Sequence, residues 1–173
     1  SLLADRAPAY LATLVFVAVL GGGLEEPGWR GFALPRLEHR YTPVVATLIL
    51  GLAWGVWHVP LYGPLGFVVP LVLAFFYTWL YNRTGSVFLC ILLHASFTPA
   101  QDHLVLLPDD VVDARQLGAI DFVIFGTYVA AALLLIGLTR GRLGRRPGPN
   151  LSPEATTGTT SGRSVRCRCT VQP

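Results

Sequence analysis

Five apolar runs leave this chain few ways to fold. They cover residues 8–24, 43–62, 64–81, a shorter stretch from 86 to about 99, and 120–138. A helix needs about 17–25 residues to cross the hydrocarbon of a bilayer, and all but the fourth run have that length. Lipid offers the backbone no hydrogen bonds, and these runs lack the alternating polarity of a membrane barrel strand. The expected fold is therefore all-α, a polytopic transmembrane bundle of about five spans. Composition points the same way. Hydrophobic residues make up 53% of the chain and charged residues 13%, where a soluble domain carries about 25% charged. So few polar side chains cannot coat a water-facing surface, and the same figures exclude general disorder.

Residues 1–146 read as one transmembrane domain. Residues 147–173 are rich in Gly, Pro, Ser, Thr and Arg, cannot bury a core, and read as a disordered tail. The chain opens at Ser1 with neither an initiator Met nor a cleavable signal pattern, so upstream sequence with further helices is expected. Cys90, Cys167 and Cys169 form an odd set without metal-ligand spacing. The last two lie in the tail, where an incidental sequence, palmitoylation or metal binding are the alternatives.

Net charge is +3, and all 13 basic residues are Arg. That is too little positive charge, too scattered, for a nucleic-acid partner. Its placement gives an orientation instead. Arg30, Arg36 and Arg40 lie between the first two runs, Arg83 between the third and fourth, and Arg140, Arg142, Arg145 and Arg146 after the fifth. The alternate connections hold Gly63 in one case and Asp102, Asp109, Asp110 and Asp113 with Arg115 in the other. Arg-rich loops on one side place those loops and the tail in the cytoplasm of a multi-pass cell-membrane protein. Tyr77, Trp79 and Tyr81 cluster at the end of the third run, where an aromatic belt would meet the interface.

Ionisable groups within or beside apolar spans cost about 2.5–3.5 kcal/mol each at a helix centre, so pairing or function is their usual explanation. Glu25-Glu26-Pro-Gly-Trp-Arg30-Gly31 directly follows the first run. On a helix Arg30 shares a face with Glu26 and can neutralise it, which leaves Glu25, about 100° away, as a carboxylate at the apolar boundary. Such a group suits a general base; an interfacial loop whose charges meet water is the alternative. His58 lies inside the second run with Trp54 one turn earlier, and His94 and Thr98 share a face of the fourth. Each could simply bond a neighbouring helix or its own backbone. Together, Glu25, His58 and His94 form a hydrolytic set, able to hold a zinc ion or to activate water directly. His39, in the Arg-rich loop, and His103, after the fourth run, read as solvated.

In order along the chain, Glu-Glu-x-x-x-Arg, aromatic-x-x-x-His and His-x-x-x-small polar resemble the CPBP family of CAAX-processing and bacteriocin-processing intramembrane proteases, also called Abi. The likeness is carried by Glu25-Glu26-Pro27-Gly28-Trp29-Arg30-Gly31-Phe32 with Pro35-Arg36-Leu37, by Trp54 with Trp57-His58-Val59-Pro60-Leu61, and by His94 with Thr98. It spans about residues 20–100. The family usually has Asn at the position of Thr98 and additional helices before the first motif.

The resemblance implies an all-helical endopeptidase that cuts peptide or protein substrates, some of them membrane-anchored, at the bilayer. Glu25 and His58 would activate the attacking water, His94 and Thr98 would stabilise the oxyanion, and Glu26 with Arg30, supported by Trp54, would hold the Glu25 helix. Metalloprotease and metal-independent glutamate mechanisms both remain open, a divalent ion such as zinc falling to Glu25, His58 and His94 in the first. The competing expectation is a non-catalytic protein of the same fold acting in bacteriocin self-immunity or as a binding scaffold. A small transporter ranks behind both, because the polar groups form one cluster and line no through-path.

Overall fold

The computed structural model describes residues 2–103 and 114–145, with side chains described for 5–63, 66–97 and 122–145. All regular structure among the described residues is helical. Helix α1 is Leu2–Val19, α2 Leu34–Glu38, α3 Pro43–Tyr62, α4 Val68–Thr84, α5 Val87–His103 and α6 Ala114–Leu138. A 3-10 turn, Gly22–Glu25, and a π-helical segment, Pro27–Ala33, join α1 to α2, and a second 3-10 turn, Pro64–Phe67, leads into α4.

The first apolar run does not end where its hydropathy does. Helix continues through the acidic pair as far as Glu38, giving a 34-residue stretch, Asp5–Glu38, apolar enough to cross a membrane. Gly21, at φ −103° and ψ −149°, breaks the α-helix after Val19, and helical turns resume from Gly22. Pro27 donates no backbone hydrogen bond and its ring displaces the carbonyl four residues back; the ladder reopens there with π spacing. Arg30 therefore lies in no loop: it is fully buried.

Pro43–Tyr62 is the second stretch long and apolar enough to span, while Val87–Phe97 and Phe122–Leu138 are shorter apolar helices. The side chain of Thr42 caps α3 by accepting from the Val45 amide at 3.4 Å, and Pro43 sits where its missing N–H costs nothing. Gly85 ends α4 in the left-handed conformation, φ 68°, the geometry glycine adopts most readily. It turns the chain into α5 within two residues.

Packing follows from these turns. Helices α3 and α4 lie side by side, tied by a buried hydroxyl pair, Thr47 to Thr78 at 3.0 Å. Helix α5 runs antiparallel to the long N-terminal helix, with Val87 against Gly31 and His94 against Gly22 and Glu26. The main core joins Leu34, Ala46, Leu50, Trp54, Leu73, Ala74, Tyr77 and Cys90. Helix α6 docks on α4 through Phe75, Ala132 and Leu143.

Polarity is inverted relative to a soluble protein. Glu26, Arg30, Thr47 and Thr78 are wholly buried, whereas Leu20, Phe122 and Leu138 are more than 70% exposed. Charges that meet each other inside and apolar side chains that face outward are the arrangement of a membrane protein. One interfacial assignment changes: Tyr77 is 1% exposed and turns into the core, leaving Trp79 and Tyr81 as the belt candidates. The acidic connection at 104–113 and the tail with Cys167 and Cys169 lie outside the described residues.

Candidate active site

Two adjacent carboxylates face different surroundings because one residue turns a helix by about 100°. Glu26 points inward and is wholly buried. Arg30 Nη1, four residues on, donates to its Oε1 at 3.0 Å and lies 3.0 Å from Oε2. His94 Nδ1 reaches the same Oε1 at 2.9 Å from α5. The Arg30 guanidinium is sandwiched between aromatic rings, 4.2 Å from the Trp54 centroid and 4.4 Å from that of Tyr77. Among the described residues its Nε and Nη2 find no hydrogen-bond partner, so the ring faces carry much of the stabilisation of this cation.

Glu25 is half-buried and receives three indole N–H groups. Trp54 Nε1 donates to Oε2 at 2.7 Å, Trp29 Nε1 to the same oxygen at 3.3 Å, and Trp57 Nε1 to Oε1 at 3.1 Å. The chain has four tryptophans, so three of the four converge on one carboxylate. A carboxylate offers about four lone-pair directions, which leaves room for one more donor.

His58 stands one turn beyond Trp54. Its Nδ1 lies 3.0 Å from the Trp54 carbonyl oxygen. A carbonyl can only accept, so Nδ1 carries the proton and the neutral ring keeps its lone pair on Nε2. Trp54 is the hub that joins the parts: its ring lies 5.5 Å from His58, 5.6 Å from His94 and 5.4 Å from Tyr77, centroid to centroid. Depth agrees as well. His58 is about 22 Å along α3 from Pro43, and Glu25 is set back from Glu38 by a similar helical length at about 1.5 Å per residue.

Glu25, Glu26, Arg30, Trp54, His58 and His94 are thus gathered from three helical segments. Thr98 lies on α5 one turn beyond His94, with its side chain outside those described, as is that of His103. His39 is exposed. Among the described residues no three His, Cys, Asp or Glu side chains are arranged to hold a metal ion. The donor set explains why: Glu26 is committed to Arg30 and His94, and both Glu25 oxygens already accept indole protons. So placed, these residues do not fit a zinc centre.

The sequence assigns Trp29 and Trp57 no role at the site and places Tyr77 in an interfacial aromatic belt instead. For Trp29 the signal was present, four residues after Glu25 and so on the same helical face. Trp57 stands three residues after Trp54, a spacing that also shares a face; Tyr77 gave no comparable sign.

Residues 7–98 match the family described as Type II CAAX prenyl endopeptidase Rce1-like. That range holds all three motifs and more than half of the chain. The chain belongs to the CPBP family. It is also similar to the CAAX prenyl protease 2 of Methanococcus maripaludis, 30% identical over 115 residues, covering 56% of this chain and 42% of that protein. The chain therefore spans less than half the length of this relative. No solved structure matches it. Family membership supports a protease, and the polar cluster occupies the motif positions of this CPBP chain.

Proposed function

We propose that this chain is an intramembrane endopeptidase of the CAAX-processing type that hydrolyses a peptide bond with water activated by Glu25. One observation carries the reading: a half-buried carboxylate fixed by three indole donors, with His58 and His94 packed on the same tryptophan. Glu25 takes the proton from the attacking water. His58 accepts a second hydrogen bond from that water at Nε2, the nitrogen its bond to the Trp54 carbonyl leaves free. His94, carrying a proton on each ring nitrogen with its Nδ1–H bound by Glu26, and Thr98 polarise the scissile carbonyl and meet the developing oxyanion, a stabilisation worth about 2.7–4 kcal/mol per donor in acyl transfer. The proton held by Glu25 then passes to the leaving amine.

An exposed apolar face of α3 formed by Ala53, Val56, Trp57, Pro60 and Leu61 adjoins the Glu25 site through Trp57, and is the side from which an extended peptide would approach. The topology expected from the sequence, about five spans with the Arg-rich loops in the cytoplasm, would put this face within the bilayer. The name of the archaeal relative supplies the substrate class to try first, a prenylated C-terminal CAAX peptide.

The test uses protein reconstituted in liposomes with a farnesylated CAAX peptide, products being mapped by mass spectrometry. Cleavage is expected at one bond, falling about 100-fold or more in Glu25→Gln and His94→Ala while both variants remain inserted. Undiminished cleavage in both variants overturns the assignment. Partner protection that survives Glu25→Gln supports the non-catalytic immunity reading in its place.

A further inference from the structure

The helix that carries Glu25 has a second anchor, far from the reacting groups. Glu26, Arg30, Leu34 and Glu38 recur every four residues and all are buried, the first three completely. The first two form the ion pair already described. At the opposite end, Glu38 Oε1 accepts from Asn82 Nδ2 of α4 at 2.8 Å. The same Asn82 nitrogen donates to the Leu143 carbonyl at 3.1 Å. Arg145 Nη1 donates to the main-chain carbonyl of Glu38 at 2.7 Å, with its Nε 3.8 Å from Glu38 Oε2.

These bonds fasten the end of α2 to the end of α4 and to the turn that follows α6. That turn is itself tightly determined. Arg140 and Leu143 hold φ values of 50° and 43°, which non-glycine residues keep only where surrounding contacts impose them. Leu143 is fully buried, and its amide is bound by Thr139 Oγ1 at 3.3 Å.

We infer that Glu38, held by Asn82 and Arg145, is a positioning residue for Glu25. Ion pairing at Glu26 fixes one end of the segment; without a second fixed point the helix can still swing or slide about it. Glu25 lies 13 residues upstream of Glu38, so a small change at the anchor becomes a displacement of the carboxylate relative to Trp54 and His58. Misplacement by about 1 Å costs an enzyme about 100-fold in rate. The inference rests on the proteolytic reading for its kinetic consequence, but its structural consequence can be read without any cleavage. Trp29, Trp54 and Trp57 all donate to Glu25, so tryptophan emission reports where that carboxylate is.

The experiment compares Glu38→Ala, Glu38→Gln and Arg145→Ala in liposomes, with Glu25→Ala as the spectral reference for a lost carboxylate. Glu38→Ala and Arg145→Ala are expected to move the tryptophan emission toward the reference. They should also lower kcat on the farnesylated peptide by about 10- to 100-fold, with KM changed less than about two-fold. Glu38→Gln keeps the oxygen that Asn82 needs and should restore both readouts. Arg145, with a side chain 44% exposed, gives a variant that folds even where Glu38→Ala does not. Wild-type emission and kcat in folded Glu38→Ala and Arg145→Ala overturn the inference. An emission shift in chains that cleave nothing, wild type included, upholds the anchor and removes the peptidase instead.

Discussion

Glu25 and Glu26 are neighbours with opposite tasks, and their partners define the difference. Glu26 has no access to solvent; its charge is matched by Arg30, and His94 Nδ1 donates it a hydrogen bond. Removing one member of a buried ion pair strands the other, at a cost of about 3–5 kcal/mol. Glu26→Ala should therefore lower the unfolding free energy read from denaturant titrations by an amount of that order, whereas Glu25→Gln, which keeps one of the two accepting oxygens at a half-buried site, should cost much less. Equal stability losses in the two variants would show that their surroundings are not distinct. The pairing of Glu26 with Arg30 was legible from a four-residue spacing. The closure of the ion pair by His94 was not, since it joins residues 68 apart in sequence. Nor were the indole donors, because a tryptophan in an apolar run looks like packing until its N–H finds an acceptor.

At the scale of elements, the contact between the distorted helix and α5 depends on a missing side chain. A Cβ at Gly22 would collide with the His94 ring at Nε2, whereas one at Gly28 would meet nothing within 4 Å. Gly22→Ala should displace His94 and depress peptide cleavage, with Gly28→Ala as the silent control; equal activity in both would mean that α5 yields freely. The sequence predicts the second apolar run with the bounds that α3 has, because Pro43 and Gly63 punctuate it. Hydropathy ends the first at residue 24, since it counts Glu26 and Arg30 as polar and has no means of seeing that they neutralise each other. Helix α6 begins at Ala114, before its apolar run, for the related reason that helical hydrogen bonding does not require an apolar side chain.

At the scale of the molecule, a buried polar cluster within an apolar bundle turns an otherwise unremarkable set of helices into a site. Inside, water is scarce and each dipole aimed at Glu25 acts through a low dielectric; outside, the exposed leucines and phenylalanines suit lipid. The function proposed is the use of that interior to hold one water against a peptide carbonyl. The most direct measurement is a single turnover of the farnesylated peptide, with protein in excess, in water enriched in oxygen-18. Direct attack by a Glu25-activated water places one heavy oxygen in the new C-terminal carboxylate and leaves the Glu25 carboxylate unlabelled. Heavy oxygen in Glu25 instead would reveal a covalent route through that side chain and contradict the account.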